Sequence, residues 1–477
     1  MVDIQAGCFG NLFRKTKSRT IPRSSTTTPE LSKPETECSK GCLNLSCDYS
    51  YANPSTWWNI NDPVPTYSPP QGLLDSFQRQ DLVDIVDNTL ESLNHTLRQL
   101  SLKIHDHPEL GFEERYAHDL LCAYMENHGF QVTRQYLGLD TAWRAEYTHG
   151  KGGSTLGINS EMDGLSGIGH ACGHNLIAMS GCGVAIAVKA TLKALDIPGK
   201  IILLGTPAEE RVGGKIILLE RGAYKDMDLC IMCHPGPGPS NSANLGSTTA
   251  MQEAEVEYFG QSAHAGAAPW EGTNALDAAF LAYSSISVLR QQIKPDHRIH
   301  GILGGKNWTA NVIPDYAHMT WIVRAPTHGE VGEFAQRVKA CFEAAALATA
   351  CKVKIKFSSP YYELLQNSVL GKEFADKVGR NYGMVSSDRD GSSASTDFGN
   401  VSFALPALHP CYAIPTEPKG GNHTPAFTKA AATMAAHEVT MTVTKGLALT
   451  GLRALSDKAF LKAVKAEFET QIRASVV

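Results

Sequence analysis

Between Leu82 and His234 the chain alternates helical stripes with short, wholly apolar runs, and this rhythm restricts the possible folds more than any other feature. Apolar residues at Leu82, Ile85, Val86, Leu90, Leu93, Leu97, Leu100 and Ile104 keep one helical stripe. It ends at His107-Pro108-Glu109, because proline disfavours helix in the residue before it. A second amphipathic helix is predicted from Glu113 to His128, stopping at Gly129. Strands are predicted at Gln131 to Tyr136, Ala142 to Tyr147, Thr155 to Asn159, Ile201 to Leu204 and Asp228 to Cys233. A long apolar helix, Asn175 to about Leu195, and a short one, Gly214 to Glu220, fall between them. Strands that are apolar throughout are covered on both faces, so the expected class is α/β with a mostly parallel sheet.

The rhythm then changes. Thr249 to Phe259 alternates like a half-exposed strand and Ala275 to Ile293 reads as helix. Ile299 to Leu303 and Ala317 to Ala325 are strands, Gly329 to Ala350 is helix, and Lys352 to Ser358 is strand. Strand-helix-strand-strand-helix-strand is the ferredoxin-like order. An α+β domain over 249–363 is therefore expected as an insertion in a larger domain made of 71–248 and 364–477, with the chain returning to the first sheet from Leu364. Residues 1–70, rich in Ser, Thr, Pro and Lys, read as a disordered tail. The tail carries Cys38, Cys42 and Cys47, without the second pair that would complete a zinc knuckle.

A net charge of -5 with no long basic run gives no footprint for nucleic acid. The longest apolar stretch, Leu176 to Val188, is short for a bilayer and contains Ser and Gly, so no membrane partner is expected. Twelve scattered cysteines, with no apolar signal region at the start, fit a reducing cytoplasm.

Polar residues with ligand chemistry collect at the ends of the predicted strands. Asp163 follows one strand, and Gly167 to Asn175 reads G-I-G-H-A-C-G-H-N before the long helix. Cys172 as thiolate and His174 as neutral imidazole suit a borderline-soft divalent ion. Alone, a cysteine in a glycine-containing loop ahead of an apolar helix is more often packing than ligand. Glu209 and Glu210 end another apolar strand, where one carboxylate can bind metal while its neighbour stays free as a base. His234 before proline and His423 in G-G-N-H-T-P complete the group, although each could be a plain loop histidine.

Eight segments in order carry a resemblance: H-P-E-L-G-F-E-E, E-M-D-G-L-S-G-I-G-H-A-C-G-H-N-L-I-A, G-T-P-A-E-E, H-P, S-A-H-A-G-A-A-P-W-E-G-T-N-A-L-D-A, N-V-I-P-D, S-T-D-F-G-N-V-S and N-H-T-P-A-F. From about residue 80 to 450 the chain resembles the dinuclear-metal aminoacylase, carboxypeptidase G and hippurate hydrolase family, peptidase family M20. Within that family it is most similar to the amidohydrolase branch with aminobenzoyl-glutamate hydrolase and dipeptidases acting on β-alanyl, ornithyl and lysyl dipeptides. The resemblance implies two divalent ions, zinc foremost and manganese or cobalt otherwise, on Cys172, His174, Glu210, His234 and His423. It implies Glu209 as base, Asp163 orienting a ligand imidazole, and His264 reaching a neighbouring subunit's site. It also implies Asn311 and Arg324 holding a substrate carboxylate, Arg324 with bidentate geometry that lysine lacks.

The implied activity is hydrolysis of the amide of an N-acyl amino acid or dipeptide-like substrate by a homodimer. An acylated intermediate of a small-molecule pathway is the alternative substrate, and a non-catalytic metal-binding scaffold the alternative role. Retention of Glu209 argues against a scaffold, which needs no base. Arg211-Val212 stand where the family usually has glycines, and Gly164 where the branch commonly has alanine. Gly213-Gly214-Lys215 does not make a phosphate loop, because Ile216 replaces the Ser or Thr that would hold magnesium. No Gly-x-Ser-x-Gly elbow is present.

Overall fold

The computed structural model describes residues 79–388 and 391–475, so the expected tail lies outside the described residues. The main sheet runs, edge to edge, through Gln131–Arg134, Trp143–His149, Gly199–Thr206, Ser154–Glu161, Leu229–Ile231 and Ala407–Leu408. The last four strands are parallel to one another and the first two are antiparallel neighbours. Ser154–Glu161 is flanked on both sides and outruns its predicted end at Asn159 by two residues. The extension was hidden because its last residue is a glutamate, which is nonetheless fully buried.

Helix His174–Ala194 lies over this strand, between helices Gln80–His105 and Met434–Ser456. By length and apolarity alone it could cross a membrane, yet 89 % of that window is buried inside the fold, which marks the helix of a core. Small residues let it settle. A Cβ on Gly181 would stand 2.1 Å from Ser160 Oγ, and one on Gly183 would stand 2.9 Å from Thr444 Cγ2. Side chains at either place would lift the helix off the sheet or off Met434–Ser456.

Strands Ala250–Phe259, Arg298–Gly305, Tyr316–Ala325 and Lys352–Phe357 make a separate antiparallel sheet in the expected ferredoxin-like order, fourth-first-third-second. Helices Ala275–Leu289 and His328–Thr349 cover one face, and Val256, Tyr258, Trp321, Val323, Phe334 and Phe342 form a core of its own. Asn274 and Thr327 cap the two helices through their side-chain oxygens. The strand alternation read in the sequence is this division between an apolar face and an open polar one.

The return from Leu364 departs from expectation. Only Ala407–Leu408 rejoins the main sheet. Val385–Ser387 and Cys411–Ala413 join Ser242–Asn244 and His234–Gly236 in a third, four-stranded sheet. Strands of three residues are too short to show a period, and the last of them contains Pro235.

Candidate metal centre

Three parallel strands deliver their polar residues to one edge of the main sheet. Ser154–Glu161 leads to Asp163, Gly199–Thr206 leads to Glu209 and Glu210, and Leu229–Ile231 leads to His234. Ligands gather at the carboxyl ends of such strands. Cys172 and His174 arrive from the loop ahead of the core helix. Gly173 turns between them at φ 77, and helix begins at His174. His423 comes from a distant loop, held at φ 64 by its N–H donating to Ala171 O at 2.9 Å. A non-glycine residue in that left-handed region is strained, as is common where a side chain must be aimed.

The side chains converge. Ligand atoms of Cys172, His174 and His234 lie within 4.8 Å of one another, and so do those of Cys172, Glu210 and His423. Cys172 Sγ belongs to both groups. Its separation from His234 Nε2 is 3.4 Å, and Glu210 Oε2 is 3.4 Å from His423 Nε2. His174 Nδ1 bonds Asp163 Oδ1 at 3.1 Å and His234 Nδ1 donates to Pro235 O at 2.8 Å, so both rings turn Nε2 inward. The other Asp163 oxygen accepts the Glu210 N–H at 3.0 Å, tying the His174 ring to the Glu209-Glu210 turn.

Charge is correspondingly concentrated. Burial alone would raise the Cys172 thiol, but His234, His174 and His423 hold its pKa well below the ordinary value. Hydrogen bonds to Cys172 and then Glu210 lift His423 to about 11. Burial first, then repulsion from Glu161, Glu210 and Asp397, pushes Glu209 well up. His174 Nε2 and Glu210 Oε1 are buried with no hydrogen-bond partner. A thiolate, inward imidazoles and a carboxylate oriented without partners are the donor set a divalent transition ion requires, so these residues fit such a centre.

Arg324 lies in electrostatic reach of Glu209. Its Nη1 donates to Ser395 Oγ at 2.8 Å, and no carboxylate pairs with it among the described residues. His264 and Asn311 sit elsewhere, adjacent in the second sheet's loops, where Ala265 N–H donates to Asn311 O at 3.0 Å. Both are exposed, and among the described residues neither bonds a side chain of the metal centre. The N–H groups of Gly266 and Ala267 donate to His264 Nδ1 at 3.2 and 3.1 Å, which leaves its Nε2 protonated and free to donate outward.

The sequence reading gave no role to four charged residues. Glu114 anchors the turn before Glu209 through the N–H of Ala208. Lys215, fully buried, has Nζ 2.6 Å from Glu161 Oε1 and 2.6 Å from Asp397 Oδ1. Available signals were a lysine opening an otherwise apolar helix and a glutamate ending an apolar strand. Val212, where the resemblance leads glycine to be expected, is a β-branched residue held at φ 65, a region glycine adopts freely.

Residues 248–350 match the peptidase dimerisation domain of the M20 family. The mouse Xaa-Arg dipeptidase is 40 % identical over 392 residues, covering 79 % of this chain and 90 % of that protein. A p-aminobenzoyl-glutamate hydrolase chain of Escherichia coli K12 is 26 % identical, covering 82 % of this chain and 95 % of that one. Among solved structures, a Klebsiella pneumoniae aminobenzoyl-glutamate utilization protein superposes with a TM-score of 0.62 at 18 % identity, covering 78 % of this chain and 99 % of that one. A dinuclear metal-binding M20 peptidase from Bacillus subtilis gives 0.57 at 18 %, covering 76 % and 99 %. The chain belongs to the M20 peptidase family and is a metal-dependent hydrolase of peptide or related amide bonds.

Proposed function

We propose that the chain is a cytoplasmic, homodimeric dipeptidase with two zinc ions, cleaving dipeptides whose C-terminal residue carries a cationic side chain. The observation that carries the metal assignment is Cys172 Sγ shared between two ligand groups. His174 and His234 would complete one ion's set and Glu210 and His423 the other's. A thiolate among the ligands would favour zinc over magnesium. Bound there, the ions would supply Lewis acidity toward the scissile carbonyl and the attacking water.

The remaining work falls to the chain's own groups. Glu209, unligated and held basic by its neighbours, accepts the proton of the attacking water and returns it to the leaving amine. Asp163 fixes the His174 tautomer. Arg324, a desolvated guanidinium with no carboxylate partner, takes the substrate's terminal carboxylate, together with Asn311. His264 donates from Nε2 to the carbonyl oxygen as charge develops on it. We assign the catalytic unit to 71–248 and 364–477 and the lid and dimer contact to 249–363.

The cationic preference follows the named activity of the mouse relative and has a candidate partner here. Glu253 lies on the open face of the second sheet, two residues along from Met251, which pairs with Arg324. Burial and then repulsion by Glu255 raise its pKa against the attraction of Arg211, and no ion pair holds it among the described residues. Glu255 and Glu257 are already engaged, by His318 and by Lys354. A panel of Xaa-Arg, Xaa-Lys, Xaa-Ala and N-acetylated amino acids with zinc-loaded protein tests the reading. Cleavage of Xaa-Arg and Xaa-Lys over Xaa-Ala is expected, with the preference lost in Glu253→Gln. Equal rates on neutral and cationic dipeptides would overturn the substrate class.

A further inference from the structure

One buried cation beside the metal centre has no part in the chemistry assigned so far. Lys215 opens helix Gly214–Glu220 with no exposed surface. Its Nζ sits 2.6 Å from Glu161 Oε1 and 2.6 Å from Asp397 Oδ1, and its N–H donates to Asp397 Oδ2 at 2.9 Å. Glu161 and Asp397 are equally buried. Carboxylate oxygens of Glu161, Glu209 and Asp397 lie within 4.8 Å of one another, a spacing that would itself accept a divalent ion. Glu161 Oε2 also stands 3.4 Å from His174 Nε2, so this acidic pocket is contiguous with the thiolate site. Glu209 belongs to both neighbourhoods, being grouped with His174 and Glu210 on one side and with Glu161 and Asp397 on the other.

We propose that Lys215 is a positioning residue that occupies the cation's place among Glu161, Glu209 and Asp397, confining divalent ions to the Cys172 site and leaving Glu209 unligated. The physical reason is exclusion. Three buried carboxylates demand positive charge, and a tethered ammonium supplies it without open coordination positions. It also engages Glu161 and Asp397 by short ion pairs, so that neither can swing onto an ion held by His174. A divalent ion in the same place would take Glu209 as ligand and remove the base.

The inference rests on the metal-centre reading above, and the two fail differently. Zinc content is measured on desalted protein after loading with excess zinc, alongside kcat and KM. Wild-type protein that retains no zinc removes the metal-centre reading itself, and this assignment with it. With zinc in the wild type, Lys215→Met is expected to hold one more ion per chain and to lose roughly 100-fold or more in kcat, the scale of a lost base. Lys215→Met combined with Glu161→Gln and Asp397→Asn removes the demand for a cation, and its zinc content is expected to return to the wild-type value. Wild-type zinc content in Lys215→Met, whatever its rate, would overturn the proposal. If that variant does not fold without metal, recovery of the folded protein by added zinc supports the proposal. Failure to fold at every zinc concentration, while the triple variant folds, counts against it.

Discussion

Glu114 Oε1 accepts the backbone N–H of Ala208 at 2.8 Å, and Ala208 is held at φ 56 immediately before Glu209 and Glu210. The carboxyl group's second oxygen accepts from Thr141 Oγ1 at 2.7 Å. A residue some ninety positions upstream thus fixes the left-handed turn that leads into Glu209 and Glu210. Burial, reinforced by repulsion from Asp163, raises the Glu114 pKa from 4.5 to about 7.

That shift fixes a sign. The folded state keeps a proton that the unfolded state releases, so stability is full below the unfolded pKa and declines as pH rises from about 4.5 to about 7. A shift of this size corresponds to something of the order of 3 kcal/mol. Glu114→Gln mimics the protonated form and is expected to flatten the decline in urea midpoints between pH 5 and 7.5. An unchanged slope would show that Glu114 does not titrate there. Glu114→Ala strands both donors and is expected to cost about 1 to 3 kcal/mol per lost partner, with a fall in kcat as the turn relaxes.

The two adjacent glutamates are expected to separate by readout. Glu209→Gln should retain both ions and the fold while losing roughly 100- to 10,000-fold in kcat, because only the proton acceptor is removed. Glu210→Gln should lose zinc as well, since Glu210 Oε2 faces His423 Nε2 across the second ligand group at 3.4 Å. Zinc analysis beside steady-state rates distinguishes them. Identical zinc content and rate in the two variants would mean that the division between base and ligand is drawn in the wrong place.

Gly173 separates Cys172 from His174 at φ 77, and a Cβ there would stand 2.6 Å from Pro235 Cγ and 3.4 Å from Phe427 Cε1. Pro235 follows the ligand candidate His234, so a single methyl would press on both sides of the first ligand group. Gly173→Ala is expected to weaken zinc retention against a chelator with little change in secondary structure. The conformational cost alone is about 1 to 2 kcal/mol. Zinc release at the wild-type chelator concentration would show that the loop can shift without moving its ligands.

Much of this arrangement was legible because the relevant signals are local. The stripe from Leu82 to Ile104, the alternation in Ala250–Phe259 and the G-H-A-C-G-H-N loop each declare themselves within a few residues. Glu161, Lys215 and Asp397 did not. Each looks like a misplaced charge in its own segment, and only the fold makes one neutralise another across 54 and 182 residues of sequence. The third sheet was equally hidden, its three-residue strands being defined by partners rather than by pattern.

His264 poses the last test, because its reach decides whether the active unit is one chain or two. It is exposed on the inserted unit, its Nδ1 accepts from Gly266 and Ala267 so that Nε2 is left as the donor, and among the described residues none of its bonds involves the metal centre of its own chain. The same unit matches a peptidase dimerisation domain and exposes Phe280, Tyr283 and Val288 on helix Ala275–Leu289, an apolar stripe suited to a second copy. Donation across that contact predicts complementation. Chains carrying His264→Ala and chains carrying Glu209→Gln are each expected to be nearly inactive. A mixed dimer of the two places an intact Glu209 opposite an intact donated His264 in one of its two sites, so activity should return to up to about half that of the wild-type dimer. Were His264 to serve its own chain by domain closure, every site in the mixed dimer would still lack one group and mixing would restore nothing. Co-purification of differently tagged chains establishes exchange independently, and exchanged but inactive mixtures would rule out donation between subunits.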